Sequence, residues 1–241
     1  MRNGSGLASD TAMVMAAGLG KRMRPLTASQ PKPMVRVAGK PLIDHALDRV
    51  AEAGIARAVV NVHYFADALE AHLAERVAPE ICVSDERDML LETGGGMVNA
   101  LPYLPDPFFS LNSDNIWLDG PRDAFHDLSD CWDAQQMDAL LLLVPHQRAA
   151  NFSGPGDFHM DAAGRLQRRA PGRIAPYIFT GIQIVSHRLL RDAPEGKFST
   201  NVLWDRALEE GRLFGTAFTG QWFEVGTPEA IRPTEDALTL G

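Results

Sequence analysis

Cysteine is nearly absent from this 241-residue sequence: only Cys82 and Cys131 occur. Neither has a second Cys or a His at metal-ligand spacing, and two thiols do not make a disulfide framework. The reading is a reduced, cytoplasmic chain. Long apolar runs are also lacking. The longest, ALLLLVP at 139–145, is of strand length and falls well short of the ~18 residues that span a bilayer, so no membrane partner is expected. The start, MRNGSGLASD, has no apolar core of the kind a secretory signal needs, and residues 1–11 read as a flexible leader. A basic excess is missing as well. The net charge is −8, which argues against a nucleic-acid partner, because duplex binding needs a basic face. No repeat, low-complexity linker or coiled-coil register is visible.

What is present is enough apolar side chain for a sizeable core, 45% of the chain. Through residue 145, strand-like and helix-like segments alternate. Strands are expected at 11–16, 56–63, 80–85, 106–114 and 138–145, and helices at 41–54, 65–77, 93–104 and 121–135. In the first helix Leu42, Ile43, Ala46, Leu47, Val50 and Ala53 share one face. The alternation implies an α/β fold with a doubly wound, mostly parallel (Rossmann-like) sheet and helices on both faces. After 150 the pattern becomes β-rich: a hairpin turning at 162–164, a strand over 173–186, a helix over 200–211 capped by Ser199 or Thr200, and a last helix at 228–239. This part reads as an insertion completing one domain, 12–241.

Ligands of such sheets sit beyond the carboxyl ends of the strands. The stretch VMAAGLGKRMRPLTASQPKP, residues 14–33, lies there. It fails the Walker loop, because Arg22 stands where the magnesium-binding hydroxyl belongs. It also fails the dinucleotide fingerprint, because Met23 stands where the third glycine belongs, and that weakens a dehydrogenase reading. Small residues next to Lys21, Arg22, Arg24 and Lys32 still describe a phosphate site: backbone N–H groups form the concavity and cations supply charge-assisted contacts.

AAGLGKRMRPLT, then PKP and GKPLI, is similar to the signature of the sugar-1-phosphate nucleotidyltransferases (nucleotide-sugar pyrophosphorylases), roughly A-A-G-x-G-x-R-x-x-P-L-T, P-K-P and G-x-P-[LM]-I. The match extends through ETGGG (92–96), NSD (112–114), FTGI (179–182) and WFEVGTPE (222–229). The short length, LETGGG and the compact ending resemble most the N-acetylmuramate-1-phosphate uridylyltransferases of cell-wall recycling. Short mannose-1-phosphate guanylyltransferases are the alternative, and a non-catalytic nucleotide-binding regulator is an alternative of another class.

The resemblance implies that a sugar 1-phosphate attacks the α-phosphorus of an NTP, UTP for the uridylyltransferases it resembles, with Mg2+ as cofactor and NTP and sugar 1-phosphate as partners, in a monomer or small homo-oligomer. It assigns 12–145 to the nucleotide and 146–241 to the sugar. It makes Arg22 and Lys32 catalytic, with Arg22 on the triphosphate and Lys32, held between two prolines, on phosphates at the reacting centre. Ala16, Ala17, Gly18, Gly20, Thr93 and Gly94 would hold the nucleotide, and Gly156, Asp157, Thr180 and Gly181 the sugar. Asp114 and Glu224 would hold the metal. Two departures stand out. Ser113 replaces the family's usual Gly, and Glu224 replaces its usual Asp, which moves the carboxylate by ~1.5 Å.

Overall fold

The computed structural model describes residues 6–150 and 152–240. β1 (Thr11–Met15) runs into the glycine loop, followed by a tiny hairpin of β2 (Arg36–Val37) and β3 (Lys40–Pro41) and by α1 (Leu42–Glu52). Next come β4 (Arg57–Val62), α2 (Ala66–Leu73), β5 (Glu80–Asp85) and α3 (Glu92–Ala100). β6 (Phe108–Asn112) turns into β7 (Asn115–Leu118), then α4 (Ala124–Cys131) and β8 (Ala139–Pro145). The remainder holds β9 (Ala149–Ala150), the hairpin β10 (Phe158–Met160) and β11 (Leu166–Arg168), the long β12 (Tyr177–Val185), α5 (Asn201–Glu209), β13 (Leu213–Ala217), β14 (Gln221–Glu224) and α6 (Ile231–Leu240).

The nine-stranded main sheet runs β11-β10-β12-β6-β1-β4-β5, with β8 on β12 and β13 on β8. β6, β1, β4 and β5 are parallel. β12 enters antiparallel between β6 and β8, so the second half makes the sheet mixed. β1 and β4 are buried along nearly their whole length, as parallel strands covered on both faces must be. One side of the sheet packs Leu47 and Val50 of α1 with Leu69 of α2 and Phe125 of α4. The other side packs Met97 of α3 and Leu203 and Trp204 of α5. A separate three-stranded sheet, β7-β14-β9, stands beside the main one.

Two readings change. Residues 6–11 are not a loose leader: Leu7 is fully buried and the Ala8 N–H donates to Ser129 Oγ at 3.0 Å. Residues 1–5 of that reading lie outside the described residues. β7 was not foreseen, because the two-residue turn at Ser113–Asp114 leaves no loop to mark its start. Among the described residues, no helix is long and apolar enough to cross a membrane.

Candidate functional site

Three adjoining cavities open along the carboxyl edge of β1 and β6, and Asn112, at the end of β6, borders all of them. The first, about 370 Å3, is lined by Ala16, Ala17, Gly18, Lys32, Thr93 and Asp114. Its floor is held from behind by a buried polar chain. The Ala16 N–H donates to Asn61 Oδ1 at 2.7 Å, and Asn61 Nδ2 donates to Glu86 Oε1 at 2.7 Å. The other Glu86 oxygen accepts from the Leu91 N–H at 3.1 Å. Burial pushes the Glu86 carboxyl above its ordinary range, with the Asn61 and Leu91 donors acting against that shift. Ser113 donates to the Met15 carbonyl at 2.8 Å, so its hydroxyl ties the end of β6 to β1.

The second cavity, about 240 Å3, gathers Arg22, Asp114, Asp157 and Glu224. β14 carries Glu224 opposite Asn115 of β7, and the Val225 N–H donates to the Asp114 carbonyl at 3.2 Å. Strand pairing thus sets two carboxylates from distant parts of the chain side by side. Lys32 sits in a short helical turn behind Pro31, and its Nζ lies 2.5 Å from Asp114 Oδ2. Arg22 is looser, with Nη2 3.6 Å from Glu224 Oε1 and a side chain 67% exposed. No group of three or more His, Cys, Asp or Glu side chains forms a metal cluster among the described residues. Two adjacent carboxylates on one cavity do fit magnesium, which takes few protein ligands and completes its shell with phosphate and water.

The third cavity, about 320 Å3, is walled by side chains: Thr93, Asp157, Arg168, Gln183, Thr200 and Trp204 among them. Asp157 Oδ2 accepts from the Phe179 N–H at 2.9 Å, and Trp204 Nε1 donates to Gln183 Oε1 at 3.1 Å.

Of the residues singled out in the sequence, Arg22, Lys32, Asp114, Glu224, Ala16, Ala17, Gly18, Thr93 and Asp157 line these cavities. Five others do not. A Cβ on Gly94 would come 2.3 Å from the Phe198 ring, so this glycine makes room for that side chain. Gly20 adopts φ 59° and packs on Lys32 Cβ, which seats that lysine. Gly156 lies against the Ala175 carbonyl. Thr180 is fully buried and donates to the Leu142 carbonyl at 2.8 Å. Gly181, at φ 87°, lies in the register shift of β12 and leaves space for the Asn115 and Asn112 amides. These five are not among the residues that line the three cavities. Missed from the sequence were Asn61, Glu86, Arg168, Gln183, Asn201 and Trp204. An asparagine inside the apolar VVNV of β4 was the available signal for Asn61.

The chain matches the nucleotidyl transferase family over residues 11–167. Over 232 residues it is 45% identical to N-acetylmuramate alpha-1-phosphate uridylyltransferase of Caulobacter vibrioides, covering 94% of this chain and 96% of that one. It is 34% identical over 226 residues to the protein of the same name from Neisseria meningitidis serogroup B, covering 90% and 93%. Among solved structures, the inositol-1-phosphate CTP transferase from T. maritima shares the fold, with a TM-score of 0.77 at 17% identity and 96% of each chain covered.

Proposed function

We propose, from the premise that the chain belongs to the nucleotidyl transferase family, that it transfers the uridylyl group of UTP to N-acetylmuramate 1-phosphate and releases pyrophosphate. The observation that carries this reading is the Lys32–Asp114 pair at 2.5 Å, with Asp114 shared by the glycine-loop cavity and the Glu224 cavity. The high identity to two uridylyltransferases named for this acceptor supports the substrate.

In the reaction, an oxygen of the acceptor phosphate forms a bond to the α-phosphorus of UTP. The bond from that phosphorus to the β-phosphate oxygen breaks, and its electrons leave with pyrophosphate. Little covalent chemistry falls to the chain, which aligns two anions in line and stabilises the charge that develops. Ala16, Ala17 and Gly18 let the nucleotide approach the backbone. The polar chain through Asn61 fixes the Ala16 amide, so the loop does not have to reorganise. Lys32 is 12% exposed and held at one position. It places a localised positive charge at the reacting phosphates. Arg22, on the exposed rim, meets the departing pyrophosphate. Asp114 and Glu224 would hold magnesium, which supplies positive charge to the phosphate oxygens when bound. Asp157 faces the acceptor, and Thr93, which lines both the glycine-loop cavity and the side-chain-walled one, stands where nucleotide and acceptor meet. On this reading residues 12–145 serve mainly the nucleotide and 146–241 mainly the acceptor, in the cytoplasm, in the reuse of cell-wall sugar.

The test is pyrophosphate release from each NTP paired with a panel of sugar 1-phosphates in the presence of magnesium. UTP with N-acetylmuramate 1-phosphate is expected to turn over fastest. No turnover with any pair, together with tight NTP binding, would establish a non-catalytic binder in its place.

A further inference from the structure

We propose that Arg168 is the residue that selects the acceptor, by donating to the carboxylate of its lactyl ether. The proposal rests on the acceptor reading above. N-acetylmuramate 1-phosphate differs from N-acetylglucosamine 1-phosphate in one feature, a lactyl group on O3 ending in a carboxylate. A protein that distinguishes the two needs a cation and hydrogen-bond donors beyond the site of the shared phosphate.

The side-chain-walled cavity offers this in one place. Arg168 is the basic residue among those lining it, and the carboxylate there, Asp157, is anchored through Oδ2 by the Phe179 amide. Arg168 is also pre-set. Its Nε donates to Asp205 Oδ1 at 2.5 Å, and Nη2 donates to Asn201 Oδ1 at 2.9 Å and to the Asn201 carbonyl at 3.3 Å. The guanidinium lies over the Phe158 and Trp204 rings, 5.4 and 5.9 Å from their centroids. Those contacts remove most of the rotamer freedom that binding would otherwise cost. Nη1 has no hydrogen-bond partner among the described residues, so two donors remain free. Asp205 sits at the opposite edge of the guanidinium and is 58% exposed, so water screens it and leaves Nη1 cationic.

A second, independent observation lies on the same wall. The Thr200 hydroxyl is buried and has no hydrogen-bond partner among the described residues. A buried hydroxyl left unpaired is costly unless a ligand completes it. A carboxylate accepts from both an N–H and an O–H, and Arg168 and Thr200 stand on the wall of the same cavity. If Arg168 merely fastened the β10–β11 hairpin to α5, its removal would affect all acceptors equally.

The experiment measures kcat/KM with saturating UTP for N-acetylmuramate 1-phosphate and for N-acetylglucosamine 1-phosphate, in the wild type and in Arg168→Met. A hydrogen bond to a charged group is worth enough to give a wild-type preference of ~10–100-fold, and the variant's preference should collapse toward one. An equal loss with both acceptors overturns the proposal. A second measurement does not depend on the variant folding. The wild type is assayed with the acceptor whose lactyl carboxylate is converted to the amide, and a loss comparable to that of Arg168→Met is expected. Full activity with the amide overturns the proposal. If the wild type shows no turnover of N-acetylmuramate 1-phosphate, the acceptor reading itself has failed, and the proposal falls with it.

Discussion

The glycine-loop cavity and the cavity around Arg168 share Thr93 and Asn112, yet they are built on different plans. The first is walled by a run of small residues that follow β1 directly, backed by the Asn61–Glu86 chain. The second takes its surface from side chains of β10, β11, β12 and α5, which meet only because Phe158 pairs with Arg168 across a hairpin and α5 packs over both. A wall of backbone recognises what all nucleotides share, their phosphates. A wall of side chains recognises what sets one acceptor apart. On the proposed reading, the chain keeps its generic work and its selective work in different architectures.

The largest effects are expected around Asp114, which the glycine-loop cavity shares with the Glu224 cavity. Asp114→Asn is expected to lower kcat by ~10²–10³, the size of losing one charge-stabilising group, with thermal unfolding nearly unmoved because the side chain is partly exposed. Turnover close to wild type would remove Asp114 from the reacting centre. Lys32→Met should cost a similar or slightly smaller factor, whereas Arg22→Met should cost only about tenfold, one charge-assisted contact on an exposed rim. Equal losses would show that Arg22 is drawn in during turnover.

Asn61→Ala tests the backbone plan. It strands the Ala16 N–H and a Glu86 oxygen, with a stability loss of about 1–3 kcal/mol for the buried groups left unpaired. The KM for UTP should rise, and the KM for the acceptor should move much less. Thr180→Val tests the opposite claim, that this threonine is scaffold. Losing its bond to the Leu142 carbonyl should cost about 1 kcal/mol and leave the acceptor KM in place. A large rise in that KM would return Thr180 to the acceptor wall.

The smallest effect concerns pH. Burial lowers the His45 pKa from its ordinary 6.5; its Nε2–H bond to the Val37 carbonyl opposes the shift, Lys40 adds to it, and Asp48 and Asp44 oppose it. The unfolded chain therefore takes up a proton before the folded one as pH falls. Stability held above about 6.5 declines from there toward the lowered folded value. Urea midpoints at pH 7.5 and 5.5 should differ less in His45→Gln, and an unchanged difference would assign the dependence to other groups.

Much of the first cavity was legible in the sequence, because backbone sites are spelled with small residues in fixed order. The alternation of elements and the apolar face of α1 were equally plain. The roles of individual glycines were not. Gly18 lines a cavity and Gly94 shelters the Phe198 ring, and nothing local separates them, since Phe198 arrives from far along the chain. The acceptor wall escaped for the same reason. Arg168 and Trp204 look like ordinary surface and core residues until strand register and helix packing bring them together.

The Thr180 carbonyl has a wider consequence. It accepts from Asn115 Nδ2 of β7 at 2.7 Å and from Trp222 Nε1 of β14 at 2.9 Å. Two of the three strands of the small sheet, β7 and β14, are thereby indexed to one oxygen of the large sheet. The pairing of β14 with β7, and the Val225 N–H bond to the Asp114 carbonyl, hold Asp114 and Glu224 in one frame beside the glycine loop. The side-chain length at position 224 then becomes the adjustable element, a spacer on a fixed mount, and an extra methylene there alters reach without disturbing the frame that bears it.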